Sequence, residues 1–366
     1  MVFALKKILQ WHLLKGTAAL AVSAVVATFA LAVYSPGAHA HHGANELIFA
    51  GCSEGTWREN LKFAFFEPFE KETGTKVVCV SAGVAERLAK IAAMQQVGKV
   101  EWDMIPSREG QIRAQRANFE TLDCSKIKPG ARVLPNTCRD FAYLSLLTGN
   151  PVVVSDKAYP PGKPRPATWA DFFDVQKFPG VRGMPSYGSP EIALMMALLA
   201  DGVPADKLFP LDVDRAFRKL DQLKPHVGLW WKSGSSVVNA FRSGEIAMSW
   251  VWIGTSVIVQ NEKIASPVPT LATEELSYWA VLKNAPHKEN AIKFIEFFTK
   301  NKEALAEFTR REGYLTPSIE ANALLSSADR AKLGADHIAS YVKINEEWVT
   351  QNRPAIVDRW NQWVSK

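Results

Sequence analysis

The chain predicts an α/β protein of two lobes, each a mostly parallel sheet flanked by helices, with a ligand cleft between them. Three observations point there. Residues Glu46 to Val80 read as strand, small-residue turn, helix and second strand, which is one βαβ unit. At 366 residues the chain is too long for one ordinary core. Around Phe141–Val154 two apolar runs, FAYLSLL and PVVV, are split by Thr148-Gly149-Asn150-Pro151, the pattern of a crossing into a second lobe.

The βαβ unit comes first. ELIFA (46–50) is a buried strand, and Gly51-Cys52-Ser53-Glu54-Gly55 is the turn. Trp57 to Phe69 has apolar residues at helical spacing, and Thr75 to Val80 is the second strand. In such a unit the turn after the first strand lies at the carboxyl edge of the sheet, facing the helix's free N–H groups, so residues 51–57 are the first wall of a candidate site. Gly83 to Val97 predicts a helix, Glu101 to Ile105 a third strand, Pro106 to Gly110 its turn, and Ile112 to Ala117 a helix.

Beyond the crossing, Tyr159 to Pro166 is a proline-rich loop and Trp169 to Phe173 a short helix. Val181 to Pro185 is a strand ending in Ser186-Tyr187-Gly188-Ser189, where Pro190 and Glu191 suit the first turn of a helix to Leu199. Helices are expected over Leu211–Leu223 and Ser235–Arg242, and Gly228 to Trp231 is another apolar segment. A strand is expected over Ile246–Trp252, whose alternation puts Trp250 and Trp252 on one face. Leu276 to Leu282 is a strand, Glu289 to Lys300 an amphipathic helix, Gly313 to Pro317 an aromatic turn, and the remainder helical.

Hydrophobic content of 47% and charge of 22% are ordinary for a globular protein. The formal charge is +6, but Lys6, Lys7 and Lys15 sit in a first forty residues without acids, leaving 40 basic against 37 acidic residues, a net +3 too dispersed for nucleic acid. Those forty residues predict a signal peptide, 1–40: a positive start, a small and apolar run from Thr17 to Val33, and an A-x-A site at Ala38-His39-Ala40. An uncleaved anchor is the alternative. A cleaved, periplasmic protein is expected, with oxidised cysteines. Cys124 and Cys138 flank a turn-rich loop and predict a local disulfide, whereas Cys52 and Cys79, on neighbouring strands, either bridge or stay as buried thiols.

Six landmarks then occur in register: FEPFEKETGTKV after the first turn, WDMIPS, ATWADFFD with SYGSPEIALMMAL, SGEIAMSWVWIG, YWAVLKNAPHKENAIKFIEF and GYLTPS. Over about Glu46 to Leu325 the chain resembles periplasmic solute-binding proteins of ABC transporters, of the spermidine/putrescine-binding type. The resemblance implies the type II periplasmic binding fold. Lobe one is then 45–147 with 270–316, lobe two 148–269, and 317–366 are C-terminal helices packed on the outside. It implies a monomer that captures a small amine or zwitterion and delivers it to a membrane permease, with no cofactor, metal or nucleic acid and no catalytic residue.

By position the resemblance implies ligand contacts from Ser53, Glu54, Ser107, Glu191, Trp252 and Tyr314. Tyr187, at a strand-end turn, and Trp231, in the cluster Trp230, Trp231, Trp250 and Trp252, are added as candidates; a lobe-two core is the other reading of the tryptophans. Several family positions differ here: Cys52 and Gly55 replace aromatics, Gly188 and Ser277 replace aspartates, and no acid follows Trp252 in Ile253-Gly254-Thr255. With two carboxylates kept and three lost, a ligand with one cationic end, or a zwitterionic opine or amino-acid derivative, fits better than a polyamine. Arg58 or Arg108 could then receive a carboxylate or phosphonate, a solvated surface charge being the other reading of each.

Two other readings remain. Gly51-Cys52-Ser53-Glu54-Gly55 matches the nucleophile-elbow pattern G-x-S-x-G, which would make Ser53 the nucleophile of an exported hydrolase. Such an enzyme needs a histidine with an acid orienting it, and His226, His287 and His337 lie far downstream, none of them in a strand-end turn with an adjacent acid. The other is a binding partner of a membrane sensor.

Overall fold

The first strand is apolar on both faces because both are covered. In β1 (Glu46–Ala50), Leu47 and Phe49 enter one core while Ile48 and Ala50 enter another on the far side of the sheet. β1 lies between β2 (Lys76–Val80) and β3 (Met104–Ser107), parallel to both. The connection to β2 is helical over Thr56–Leu61 and Glu67–Thr73, with a π-helical stretch Lys62–Phe66 between, and it ends at Gly74 in the left-handed conformation (φ 69°). Helix Val84–Gln96 connects β2 to β3.

The computed structural model describes residues 43, 45–52, 55–186 and 190–366. The expected leader 1–40, the pair His41-His42, the loop residues Ser53 and Glu54, and Tyr187 and Gly188 lie outside the described residues.

Two long strands organise the rest. β5 (Ala142–Ser155) and β9 (Ala265–Val281) pair antiparallel from Tyr143↔Trp279 to Ser155↔Ala265. The sequence predicts a break at Thr148-Gly149-Asn150-Pro151 and only the end of β9. Instead both strands run through, and the ladder shifts register between Pro151 and Val152. Pro151 cannot donate to a ladder, and a register shift is where a sheet tolerates it. The first half of β9, ASPVPTLATEEL, is too rich in proline and acids to read as a strand by itself; pairing with the wholly buried β5 imposes it.

The near halves of this pair complete a sheet with β3, β1 and β2, and β4 (Cys138–Arg139) pairs β5 at its start. The far halves carry β8 (Met248–Trp250), β6 (Arg182–Pro185) and β7 (Val227–Trp231), giving the order β2-β1-β3-β9-β5-β8-β6-β7. Two cores flank the first set of strands and a third packs around the second. Helix Pro190–Ala200 lies in that third core and is buried nearly all round, as its sequence PEIALMMALLA requires.

Two expectations change. The strand expected over Ile246–Trp252 is only Met248–Trp250, because Trp252 is already the N-cap of helix Ile253–Asn261. The C-terminal helices are not all an outer layer. Helix Glu346–Val364 sends Ile356 and Trp360 into the third core, at 3% and 2% exposure. Both cysteine pairs are bridged, Cys52–Cys79 and Cys124–Cys138, each with Cα atoms 5.8 Å apart.

Candidate functional site

β1 and β3 end side by side, and the turn after each is held tightly. The N–H groups of Gly51 and Cys52 both donate to the Val80 carbonyl, at 2.9 and 3.2 Å, and the Cys52–Cys79 disulfide ties the same turn to β2. Gly51 sits at φ 138°, and a Cβ there would meet Pro106 ring carbons and the Arg87 Nη1 at 2.6–2.7 Å. Only glycine lets those groups close on the turn.

Ser107 ends β3, buried, with its hydroxyl donating to Gln111 Oε1 at 2.8 Å. Arg108 comes next and pairs with Glu275 of β9, through Nη2 at 2.6 Å and Nε at 3.2 Å. The second Glu275 oxygen accepts from Asn150 Nδ2 of β5 at 2.5 Å, and Asn150 Oδ1 accepts from the Ile253 N–H at 3.0 Å. The carboxylate of Glu275 thereby couples the end of β3, the middle of the long strand pair and the start of helix 253–261. Its charge, against the opposing cost of burial, raises the Arg108 pKa, with Glu346 and Glu191 adding to it.

Glu191 opens helix 190–200 almost fully buried, and both its oxygens accept from Arg353 Nη1, at 3.0 and 2.9 Å. Arg353 belongs to helix Glu346–Val364, which also reaches the β3 side: Thr350 Oγ1 donates to the Gly110 carbonyl at 3.1 Å. Glu346, on the same helix, has its pKa raised by burial and by Glu191, with Arg108 opposing. Tyr314 is half-buried; its ring meets Trp57 edge-on at 5.8 Å, and burial first, then Glu275, raises its pKa.

The tryptophans separate. Trp231 is 1% exposed, stacked on Trp250 at 6.1 Å and edge-on to Trp252 at 4.9 Å, with Nε1 donating to Ser249 Oγ. It supports the wall from behind rather than forming it. Trp252 is only partly buried. Of the expected contacts, Ser107 adjoins Arg108, Glu191 and Tyr314 lie within reach of the charges of Arg108 and Glu275, Trp252 precedes the helix start bonded to Asn150, and Trp231 is in the core. Ser53, Glu54 and Tyr187 lie outside the described residues.

The residues that sequence reasoning missed are Asn150, Glu275, Glu346, Arg353 and Arg87. The acid count therefore changes: Glu275 and Glu346 join Glu191. Arg87 had a visible signal. With Ile91 and Met94 it occupies the buried seam of helix 84–96, a charge at a core position. It is 5% exposed, its Nη1 reaches only the Ala82 carbonyl at 3.5 Å, its Nε has no partner, and among the described residues it makes no ion pair. Burial alone lowers its pKa to about 10.

His287 does have an acid beside it, contrary to the sequence expectation: its Nδ1 lies 3.0 Å from Asp103 Oδ2, and its N–H donates to Asp103 Oδ1 at 2.7 Å. Asp103 precedes β3 and also accepts from the Ile48 N–H. This pair sits before β3 begins, whereas Gly51 and Cys52 follow the end of the parallel strand β1, so the two lie at opposite ends of these strands. Among the described residues no group of three His, Cys, Asp or Glu is placed to hold a metal, and no helix is long and apolar enough to cross a membrane.

A family model of bacterial extracellular solute-binding proteins matches residues 64–335. The chain belongs to this family. It is 35% identical over 243 residues to the gamma-aminobutyric acid-binding protein of Pseudomonas aeruginosa, across 64% of this chain and 66% of that protein, just under two thirds of its length. It is 25% identical over 323 residues to the spermidine/putrescine-binding periplasmic protein of Escherichia coli, across 82% and 86%. The solved structure of AttC from Agrobacterium tumefaciens C58, open and unliganded, superposes with a TM-score of 0.73 at 36% identity, covering 87% of this chain and 99% of that one. This solute-binding protein thus has the two-lobe periplasmic binding fold, in which β5 and β9 serve both lobes.

Proposed function

We propose that this protein captures a small amine-containing solute in the periplasm, releases it unchanged and delivers it to the permease of an ABC transporter. It works as a monomer after loss of its leader. The lobes, 45–147 with 270–316 and 148–269, hinge on the long strand pair, and ligand shifts the population toward the closed form.

The observation that carries this reading is the cluster around Arg108 and Glu275. Glu275 pairs with Arg108 directly and Glu346 and Glu191 act on its charge, the three acids coming from β9, helix 346–364 and helix 190–200. The surplus of acid suits an ammonium group, and the partly exposed rings of Trp252 and Tyr314 are aromatic surfaces that attract one. The names of the relatives support the same class, since γ-aminobutyrate, spermidine and putrescine all carry an amine. The ligand that fits best has one ammonium end and a carboxylate, because arginines stand beside the acids.

A thermal-shift and tryptophan-fluorescence screen of γ-aminobutyrate, polyamines, opines, amino acids and phosphonates tests this. A ligand present at 100 times its Kd stabilises the native state by about 2.7 kcal/mol, a shift of several degrees or less for a chain of this size. If no amine in the panel moves either signal, the reading fails.

A further inference from the structure

We propose that Arg87 receives the anionic group of the solute: a carboxylate-bearing amine docks its carboxylate on this guanidinium, between the turn Gly51-Cys52 and the end of β3. This deepens the amine-solute reading and rests on it.

The arginines at this edge are not equivalent. Arg108 is already paired with Glu275, and Glu346 and Glu191 act on it as well. A solute carboxylate brought there would enter a region with three acids. Arg87 is the opposite case. A buried guanidinium is normally paired, and among the described residues this one has a single long hydrogen bond, to the Ala82 carbonyl, and an Nε with none. A structural arginine placed to cap a carbonyl would not need to carry its charge into the seam it shares with Ile91 and Met94.

The setting is rigid. The disulfide and the paired N–H groups of Gly51 and Cys52 hold one side, and the Pro106 ring holds the other. The Nη1 lies 2.6 Å from where a Cβ of Gly51 would be, so the missing side chain is what admits it. A cation fixed before the ligand arrives loses little entropy on binding. The turn after β1 and the end of β3 are also the edge at which open α/β sheets bind ligands. The solute's polarity is then set: carboxylate toward Arg87, ammonium toward the acids around Arg108.

The test uses the mature chain with Arg87→Met and Arg87→Lys, two probes that differ at one end, 4-aminobutanoate and 1,4-diaminobutane, and the melting temperature without ligand. The expected result is that Arg87→Met binds 4-aminobutanoate about thirtyfold or more weaker, the loss typical of removing one partner of a buried charge pair, while affinity for the diamine does not fall, since its second ammonium no longer faces a cation. Arg87→Lys falls between. Unliganded Arg87→Met melts no lower than wild type, because an unpaired buried charge has been replaced by an apolar chain of similar length. Equal affinity for 4-aminobutanoate in both proteins, or a clear drop in the unliganded melting temperature, overturns the proposal. If wild type binds neither probe, the amine-solute reading is what fails. Arg87 is then judged by sodium acetate against sodium chloride: stabilisation by acetate of wild type but not of Arg87→Met supports the anion site, and equal responses overturn it.

Discussion

The two edges that meet at the cluster are built in opposite ways. The lobe-one edge is local: Gly51, Arg87, Pro106 and Arg108 come from one stretch of fewer than sixty residues, locked by a disulfide and strand-end hydrogen bonds. The lobe-two edge is assembled from afar. Glu191 is buried at a helix start and is neutralised by Arg353, 162 positions later. A carboxylate there would be costly without that partner, so the C-terminal helix is part of the edge rather than a cover over it. One edge is preorganised by covalent and main-chain constraints, the other by a helix docking late in the chain.

Glu275 joins the two, and removing it should do most harm. Glu275→Ala removes the carboxylate that accepts from both Arg108 and the Asn150 amide, and the expected loss is about 4 kcal/mol in urea melts, with solute binding lost too. A loss below about 1 kcal/mol would mean that the junction is not shared. Breaking the lobe-one lock comes next. Replacing Cys52 and Cys79 by Ala frees a loop of 27 residues and should cost about 3 kcal/mol on the chain-entropy account, with weaker solute binding because the turn loosens.

Breaking the lobe-two lock is expected to be milder. Arg353→Ala strands the buried Glu191, but the Arg353 side chain is itself 41% exposed and water can reach the gap. The expected cost is about 2 kcal/mol, below the 3–5 typical of a fully buried pair. A larger loss than that of the disulfide variant would reverse the ranking of the two edges.

The smallest effects are in pH. Burial works against ionisation of Asp171, but Lys177 and the hydrogen bonds of Ala167 and Thr168 outweigh it and hold its pKa at about 2. A depressed carboxyl stabilises the fold above its unfolded value, and that contribution, at most about 2 kcal/mol, disappears as pH falls from about 4 toward 2. Asp171→Asn should remove this acid limb from a plot of melting temperature against pH. Glu346 runs the other way. Its raised pKa means its penalty is absent at low pH and grows as pH rises through the folded value, so Glu346→Gln should gain slightly at neutral pH and nothing near pH 4.

The contrast between the edges also accounts for what was legible in the chain. The lobe-one strands and turns were readable because ELIFA and WDMIPS carry their own apolar pattern and turn residues. Arg87 was readable in principle, as a charge out of place at i, i+4, i+7 with Ile91 and Met94. The first half of β9 was not, since its prolines and acids take strand geometry only when β5 lies alongside. Nor were Glu275, Glu346 and Arg353, which look like ordinary surface charges until the fold brings each one beside a group of opposite sign.

By itself the amino-acid sequence determined the α/β architecture and the two-lobe fold, because hydrophobic periodicity and turn chemistry act over a few residues. Tertiary structure alone decided which charges cancel and which stand alone. Coulomb energy depends on distance in space and on exclusion of water, and neither Arg108 beside Glu275 nor Arg87 without an ion pair among the described residues is written in the order of residues.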